Sequence, residues 1–303
     1  MIIITEMMHP SGLSLLPEGT LYEPDLFQQR DQLKSLMAKT TGLVVRNRTQ
    51  VDEDLLAHAP QLKVVGRLGV GLDNIDTKAL QDHHVELVVP YGANAVAVGE
   101  YVMAALLTAT RRIPVLDQTV RAGKWDRTAR QTQLSGKTLG IVGYGAIGHH
   151  LATRAEAFGM TIKVHDPYAT IPQKWVGSPW PQFVEDLDFV SLHVPLTSET
   201  RNMLDRTVLS GLKPQAWVIN TARGELIDEM ALADALDAGE VGGAILDVRL
   251  SEPPPPGDRL LGRDNVWVTP HIAGLTEEAQ QDISQTVAQG ILDVLSVAQK
   301  KMG

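Results

Sequence analysis

The chain has 303 residues, of which 44% are hydrophobic, 5% aromatic and 21% charged, with a formal net charge of −9 and no cysteine. The absence of cysteine excludes disulfides, thiolate nucleophiles and cysteine-based zinc or iron–sulfur sites, and fits a reducing, cytoplasmic compartment. The acidic balance disfavours a nucleic-acid or anionic-membrane partner, so an anionic ligand would need local arginines to overcome the global field.

The length suits two domains. The N-terminus, MIIITEMMHP, lacks the basic lead and small-residue cleavage site of a signal peptide and reads as a first β-strand. IIIT (2–5), GLVVRN (42–47), LKVVGR (62–67) and VELVVP (85–90) are near-continuous apolar runs. That pattern predicts parallel strands buried on both faces. Asp52 and Asp76 each stand at an expected helix start.

VAVGEYVMAALLTA (96–109) is apolar almost all round but too short to cross a bilayer, which predicts a fully buried helix at a domain junction or subunit interface. Six further strand candidates follow: TLGIVG (138–143), TIKVHD (161–166), DFVSLHV (188–194), AWVINT (216–221), GGAILDV (242–248) and NVWVTP (265–270). Helical stretches separate most of them, as a dinucleotide-binding domain requires. SEPPPPGD (251–258) is a stiff connector, because its prolines cannot sit inside a helix or central strand. The segment 276–301 opens with Thr and two acids and carries one apolar stripe: Ala279, Ile283, Val287, Ile291, Val294 and Ala298. No metal site is expected: His83–His84 and His149–His150 read as solvent-facing helix residues, and Trp175 and Trp180 as packing.

GYGAIG (143–148) has the G-x-G-x-x-G spacing between an apolar strand and a helical run. Gly143 permits a tight turn, Gly145 lets a pyrophosphate approach the backbone, and Gly148 lets helix and strand pack closely. The helix N-terminus then offers free N–H groups to phosphates. Asp166 ends the next strand, where a carboxylate binds a ribose 2′-hydroxyl and repels a 2′-phosphate; this favours NAD over NADP. Tyr168 and Arg154 are the neighbours that weigh against a strict preference.

Three later segments place charge at strand ends. NTARGELID (220–228) puts Arg223 after one strand, LDVRLSEP (246–253) puts Asp247 and Glu252 after the next, and TPHIAG (269–274) puts His271 after the third. In a doubly wound sheet the carboxyl ends of the strands border the ligand crevice. An arginine there can hold a carboxylate and polarise a carbonyl. The histidine can give or take a proton, with a carboxylate beside it fixing the ring. Ala273 and Gly274 leave room for a nicotinamide. Taken singly, each of these side chains also has an ordinary reading as surface or structural trim; the joint occurrence points to chemistry.

With these residues in hand, the chain resembles the NAD-dependent D-2-hydroxyacid dehydrogenase family across nearly its whole length. The motifs GRLGVGLDNID (66–76), GYGAIG, HVPLTSET (193–200), NTARGELID, DV…EP and TPHIAG occur in the family's order. The resemblance implies an α/β fold with two doubly wound parallel-sheet domains. One is a flavodoxin-like substrate domain, 1–95 with 275–303; the other is a Rossmann nucleotide domain, 96–274, inserted into it. It implies Arg223, Glu252 and His271 as the catalytic set. Beyond the glycines and Asp166, it implies nucleotide contacts at Ala146, Ile147, Pro195, Thr200, Thr221, Ala222, Asp247, Ala273 and Gly274. Backbone N–H groups around Val70 and Gly71 would hold the substrate carboxylate. A homodimer and domain closure over the substrate are also implied. The sequence stops soon after its last helix, so the C-terminal regulatory domain of longer phosphoglycerate dehydrogenases is not expected. Arg249 departs from the pattern, standing where the family commonly has an aromatic; a surface change or a subunit contact is expected there.

The reaction implied is hydride transfer between NAD(H) and a small 2-hydroxy or 2-keto acid, with His271 as acid/base. In phosphoglycerate dehydrogenases, arginines matching Arg46 and Arg67 lie by the substrate's second anionic group, and ITEMM and RNRTQV resemble the (S)-sulfolactate dehydrogenase branch. A substrate with a carboxylate and a phosphate or sulfonate is therefore expected, with hydroxypyruvate or glycerate as the simpler candidate. Alternatively, Arg46, Arg48 or Arg67 merely ties the two lobes together. The rival from another class is a non-enzymatic NAD-sensing co-repressor on the same fold.

Overall fold

The computed structural model describes residues 1–300, without the side chains of residues 299 and 300, so the end of the expected 276–301 helix lies outside the described residues. The chain forms two compact units, Met1–Asn94 with the segment from Leu275 onward, and Ala95–Gly274.

The first unit runs β1 (Ile2–Ile4), α1 (Pro10–Leu13), β2 (Leu21–Tyr22), α2 (Arg30–Met37), β3 (Gly42–Val45), α3 (Glu53–Leu56), β4 (Val64–Arg67), α4 (Thr77–Asp82) and β5 (Glu86–Val88). Its sheet is parallel in the order β2-β1-β3-β4-β5. Alternate residues of the apolar runs face opposite layers. Ile3, Leu43, Val45 and Val65 pack with Leu33, Met37, Leu55 and Leu80. Ile2, Ile4, Val44 and Val64 pack instead against Ile283, Val287 and Ile291 of the terminal helix, Glu277–Lys300. That helix lies so close that a Cβ on Gly66 would stand 2.6 Å from Val287 Cγ1. Thr276 Oγ1 accepts from Ala279 N at its start, and Asp52 and Asp76 cap α3 and α4 through Leu55 N and Ala79 N. The two-residue edge strand β2 carries no apolar run, and the strand pattern passes over it.

The second unit runs α5 (Ala95–Arg111), α6 (Ile113–Arg121), β6 (Thr138–Val142), α7 (Ala146–Ala157), β7 (Thr161–His165), β8 (Phe189–Leu192), α8 (Arg206–Ser210), β9 (Trp217–Asn220), α9 (Glu229–Asp237), β10 (Gly243–Leu246) and β11 (Val266–Val268). All six expected strands are present, parallel, in the order β11-β10-β9-β8-β6-β7. A single bridge from Val176 to Val164 extends the sheet beyond β7. The chain thus winds one way from β6 and returns to the other side at β8, which makes the carboxyl ends of β6 and β8 the switch point where such sheets bind ligands.

The segment expected to be a fully buried helix at a domain junction or subunit interface is α5, and within the single chain it is covered on one face. Val98, Val102, Met103, Leu106 and Ala109 are buried, but Val96, Glu100, Ala104, Leu107 and Arg111 form an exposed stripe. Alanines and valines supply apolar character on both faces, so hydropathy alone does not show which face is covered.

Candidate active site

The glycine loop follows β6 at the switch point. Gly143 has φ +98°, and a Cβ there would stand 2.5 Å from the His193 carbonyl oxygen. Gly148 is equally constrained: its Cβ would lie 2.2 Å from Gly143 O. Gly145 differs, because a Cβ there would meet no atom within 4 Å, although its φ of −76° is open to any residue. Gly145 is the N-cap of α7 and offers no side-chain cap, so the N–H groups of the first turn, Ala146 and Ile147 among them, have no side-chain acceptor at the cap.

Asp166 sits just past β7 and is tied to this loop. Its Oδ2 accepts from Tyr144 N at 2.7 Å, and its Oδ1 from Tyr168 N at 2.8 Å and Ala169 N at 3.1 Å. Burial alone would raise its pKa, but the three backbone N–H donors outweigh that and hold it below the usual aspartate value. Tyr168 is 87% exposed beside it. On the far side of the switch, Thr200 Oγ1 donates to Pro195 O at 2.7 Å and accepts from Thr197 N at 2.8 Å, which folds residues 195–200 into a compact turn.

Strands β9, β10 and β11 lie side by side, and their carboxyl ends carry the three charged segments. After β9, buried Asn220 organises the loop: its Oδ1 accepts from Ala222 N at 3.0 Å and its Nδ2 donates to Arg223 O at 2.8 Å. Thr221 Oγ1 is buried there without a hydrogen-bond partner among the described residues. A buried hydroxyl of this kind is costly unless a ligand completes it. Gly224 presses so closely on the next loop that a Cβ would stand 2.1 Å from the Arg249 carbonyl carbon. The loops bearing Arg223 and Glu252 are thereby brought together.

His271 Nδ1 and Glu252 Oε2 are 2.9 Å apart, and both side chains are roughly half exposed. With a carboxylate at Nδ1, that nitrogen carries the proton and Nε2, which has no hydrogen-bond partner among the described residues, is left for chemistry. His271 has φ +58°, a left-handed conformation that only a few per cent of residues other than glycine adopt. Asp247 holds it there. This aspartate is 1% exposed, and its Oδ1 accepts from Thr269 Oγ1 at 2.6 Å and Ile272 N at 2.8 Å, and its Oδ2 from Ala273 N at 2.8 Å. His271 N itself donates to Asp247 O at 2.9 Å. Tyr101 OH shares a 2.6 Å hydrogen bond with Thr269 Oγ1, completing the support. Asp247 therefore spends its carboxylate on the turn that presents His271. Ala273 is buried in that turn, and Gly274 closes the unit.

Arg249, expected as a surface change or a subunit contact, is not at the surface of the chain. Its side chain is 2% exposed and pairs with Glu229 and Asp258. Hydropathy reading assigns charge to the surface, so a buried arginine with two distant acids is invisible to it.

In the first unit, Arg46 follows β3 and Arg67 ends the adjacent β4, with Val70 and Gly71 in the loop after it. The 46–49 loop wraps around the buried carboxylate of Glu6, which accepts from the backbone N of Arg46, Asn47, Arg48 and Thr49 at 2.8–3.1 Å. Burial would raise the Glu6 pKa, but these N–H donors and the Thr49 hydroxyl bring it below the ordinary value. The ITEMM and RNRTQV motifs are thus one physical unit. Arg48 stacks over Phe27 at 5.0 Å. The Arg46 guanidinium makes no hydrogen bond or ion pair among the described residues, while Arg67 Nη1 donates to Leu68 O at 3.0 Å.

Sequence reasoning missed Asn220, Glu6, Tyr101 and the Glu229–Asp258 pair. A buried asparagine closing the run WVIN is the one signal that was present in the pattern itself.

The profile of the family described as "D-isomer specific 2-hydroxyacid dehydrogenase, NAD binding domain" matches residues 103–273. The chain is 39% identical over 306 residues to (S)-sulfolactate dehydrogenase of Chromohalobacter salexigens, covering 98% of each chain. It is 39% identical over 302 residues to D-3-phosphoglycerate dehydrogenase of Methanocaldococcus jannaschii, covering 97% of this chain but only 57% of that one. The TT0316 protein of Thermus thermophilus superposes with a TM-score of 0.90 at 32% identity, covering 97% of this chain and 96% of that one. The chain belongs to the D-isomer specific 2-hydroxyacid dehydrogenase family. Its α/β architecture of two parallel sheets is the one expected from the sequence. Against the phosphoglycerate dehydrogenase it spans little more than half the length of the relative.

Proposed function

We propose that the chain is an NAD-dependent D-2-hydroxyacid dehydrogenase whose substrate carries a carboxylate and a second anionic group, of the phosphoglycerate or sulfolactate type. Hydroxypyruvate and glycerate are the simpler substrates in the same class. The observation that carries the reading is the 2.9 Å His271–Glu252 pair beside the Arg223 loop, at the carboxyl edge of a doubly wound sheet. In this reading Ala95–Gly274 is the nucleotide domain and Met1–Asn94, with the terminal helix, the substrate domain.

The residues present fit a dinucleotide. Gly145 leaves open space above an uncapped helix N-terminus for a pyrophosphate, Thr221 Oγ1 awaits a partner, and Asp166 stays anionic to accept ribose hydroxyls and repel a 2′-phosphate. Pro195, Thr200, Ala222, Ala273 and Gly274 are the further nucleotide contacts proposed. When bound, the nicotinamide supplies or accepts the hydride. Arg223 orients the keto acid and polarises its carbonyl. His271 Nε2 donates a proton to the carbonyl oxygen as charge develops there, and takes it back in the oxidation direction. Glu252 holds the imidazole in the tautomer that makes this possible.

Two observations support a second anionic group. The Arg46 guanidinium makes no hydrogen bond or ion pair among the described residues, and the curated relatives at 39% identity carry names that specify phosphoglycerate and sulfolactate. Backbone N–H groups around Val70 and Gly71 are the proposed carboxylate site. The exposed Ile113, Val120 and Trp125 on and after α6 support a homodimer, which light scattering would show as twice the 33.0 kDa chain mass.

Steady-state rates with NADH and NADPH across 3-phosphohydroxypyruvate, sulfopyruvate, hydroxypyruvate, glyoxylate and pyruvate test the proposal. A kcat/KM highest for one of the first two with NADH is expected. A preference for glyoxylate or pyruvate refutes the two-anion reading, and NADH binding without turnover of any keto acid favours the co-repressor-like alternative.

A further inference from the structure

Arg249 stands at the centre of the loop that follows β10, and three sets of contacts meet on it. Its Nε donates to Glu229 Oε1 at 2.9 Å and its Nη2 to Glu229 Oε2 at 3.0 Å, a two-point fork. The same Nη2 donates to Asp258 Oδ2 at 2.7 Å. Leu250 N also donates to Glu229 Oε1, at 2.9 Å. The backbone N–H of Arg249 donates to Glu252 Oε1 at 3.1 Å, while the other oxygen of Glu252 faces His271. Finally, the carbonyl of Arg249 is the wall against which Gly224 packs, directly after Arg223.

The loop from 249 to 258 has little else to fix it. It contains no helix or strand, and Leu250 is 60% exposed. Glu229 is the first residue of α9, whose start is anchored by Asp228 accepting from Met230 N and Ala231 N, both at 3.0 Å. The guanidinium therefore ties a segment without helix or strand to the start of a helix. It does so where water is excluded: the side chains of Arg249, Glu229 and Asp258 are 2%, 16% and 12% exposed. A buried charge set of this kind adds little net stability compared with apolar packing, yet it defines one geometry, because each misplacement leaves a desolvated charge unpaired.

We propose that Arg249, Glu229 and Asp258 form an ionic clamp that positions Glu252, and through it His271, so that Arg249 is a positioning residue for proton transfer. The inference rests on the reading of Glu252 and His271 as the acid/base pair. It concerns a residue at which this chain departs from the aromatic expected by family resemblance. A lysine cannot replace the arginine, because one ammonium cannot reproduce the fork to Glu229 while reaching Asp258.

The test is a double-mutant cycle with the full chain: wild type, R249K, E252Q and R249K/E252Q, assayed with NADH and the best keto acid of the panel. R249K is expected to lower kcat about tenfold, in line with the cost of small misplacements in catalytic groups, while the KM for NADH stays within twofold of wild type. In the E252Q background the same change is expected to cost less than about twofold, because the group being positioned is already lost. Multiplicative effects in the two backgrounds overturn the clamp, as does a fall in melting temperature with kcat unchanged. If R249K does not fold, E229Q opens the clamp from its other end and enters the same cycle. A wild-type chain inactive on every keto acid overturns the underlying acid/base reading; an active one with an additive cycle overturns the clamp alone.

Discussion

Acidification from pH 7 to pH 4.5 is expected to cost the second unit about 2.5 kcal/mol through one side chain, His193. This histidine follows β8 at the switch point; its Nε2 lies 2.9 Å from Ser191 Oγ and its Nδ1 is buried without a partner among the described residues. Burial disfavours the imidazolium and pulls the group from 6.5 down to about 4. The sign follows from proton counting. Between those two values the unfolded chain binds more protons than the folded one, so the contribution is complete above the ordinary histidine value and drains away as pH falls toward about 4. A gap of about 2.5 units at ~1.4 kcal/mol each sets a ceiling of ~3.4 kcal/mol, of which about 2.5 is gone by pH 4.5. The substitution H193Q keeps a polar end for Ser191 and does not titrate. Urea unfolding followed by tryptophan fluorescence reads this unit selectively, since all 5 tryptophans, Trp125, Trp175, Trp180, Trp217 and Trp267, belong to it. Wild type is expected to lose about 2.5 kcal/mol more than H193Q between the two pH values. Equal losses in the two proteins would show that His193 is already charged or hydrated in the folded state, and the argument from burial fails.

Two neighbouring glycines should separate folding from cofactor binding. G145A meets nothing in the protein and is expected to leave stability within about 0.5 kcal/mol of wild type while weakening NADH binding at least about tenfold, measured by fluorescence titration. G148A forces a Cβ to within 2.2 Å of Gly143 O, and a loss of about 1–3 kcal/mol in denaturant unfolding is expected. H271A should lower kcat by roughly 10²–10⁴-fold with NADH affinity retained, whereas loss of NADH binding would place the imidazole in the nucleotide site instead. D247N removes one acceptor from the turn that presents His271 and should cost about 1–3 kcal/mol together with a drop in kcat. Full activity in D247N would deny the turn its supporting role.

Much of the architecture is written in short-range pattern. Runs such as III (2–4) and LVV (43–45) are apolar at every position, as parallel strands covered on both faces require, and the structure covers them so. G-x-G-x-x-G announces a strand-to-helix turn because two of its three glycines, Gly143 and Gly148, have backbone against them, whatever the rest of the chain does. The charged residues at the ends of β9, β10 and β11 are legible for the same reason, since strand ends can be counted along the chain. What the pattern does not carry is which charge meets which. Glu252 and His271 are 19 residues apart, Arg249 and Glu229 are 20, and Glu6 reaches 40 to 43 residues to the loop it fills. The position of Asp247 marks an acid at a strand end, but not that its carboxylate braces the His271 turn; the position of Arg249 does not show that its side chain is buried against Glu229 and Asp258. Hydrophobic periodicity is a property of neighbours and survives in one dimension. The pairing of desolvated charges depends on groups that only the folded backbone brings within hydrogen-bond reach, so tertiary structure alone decided them.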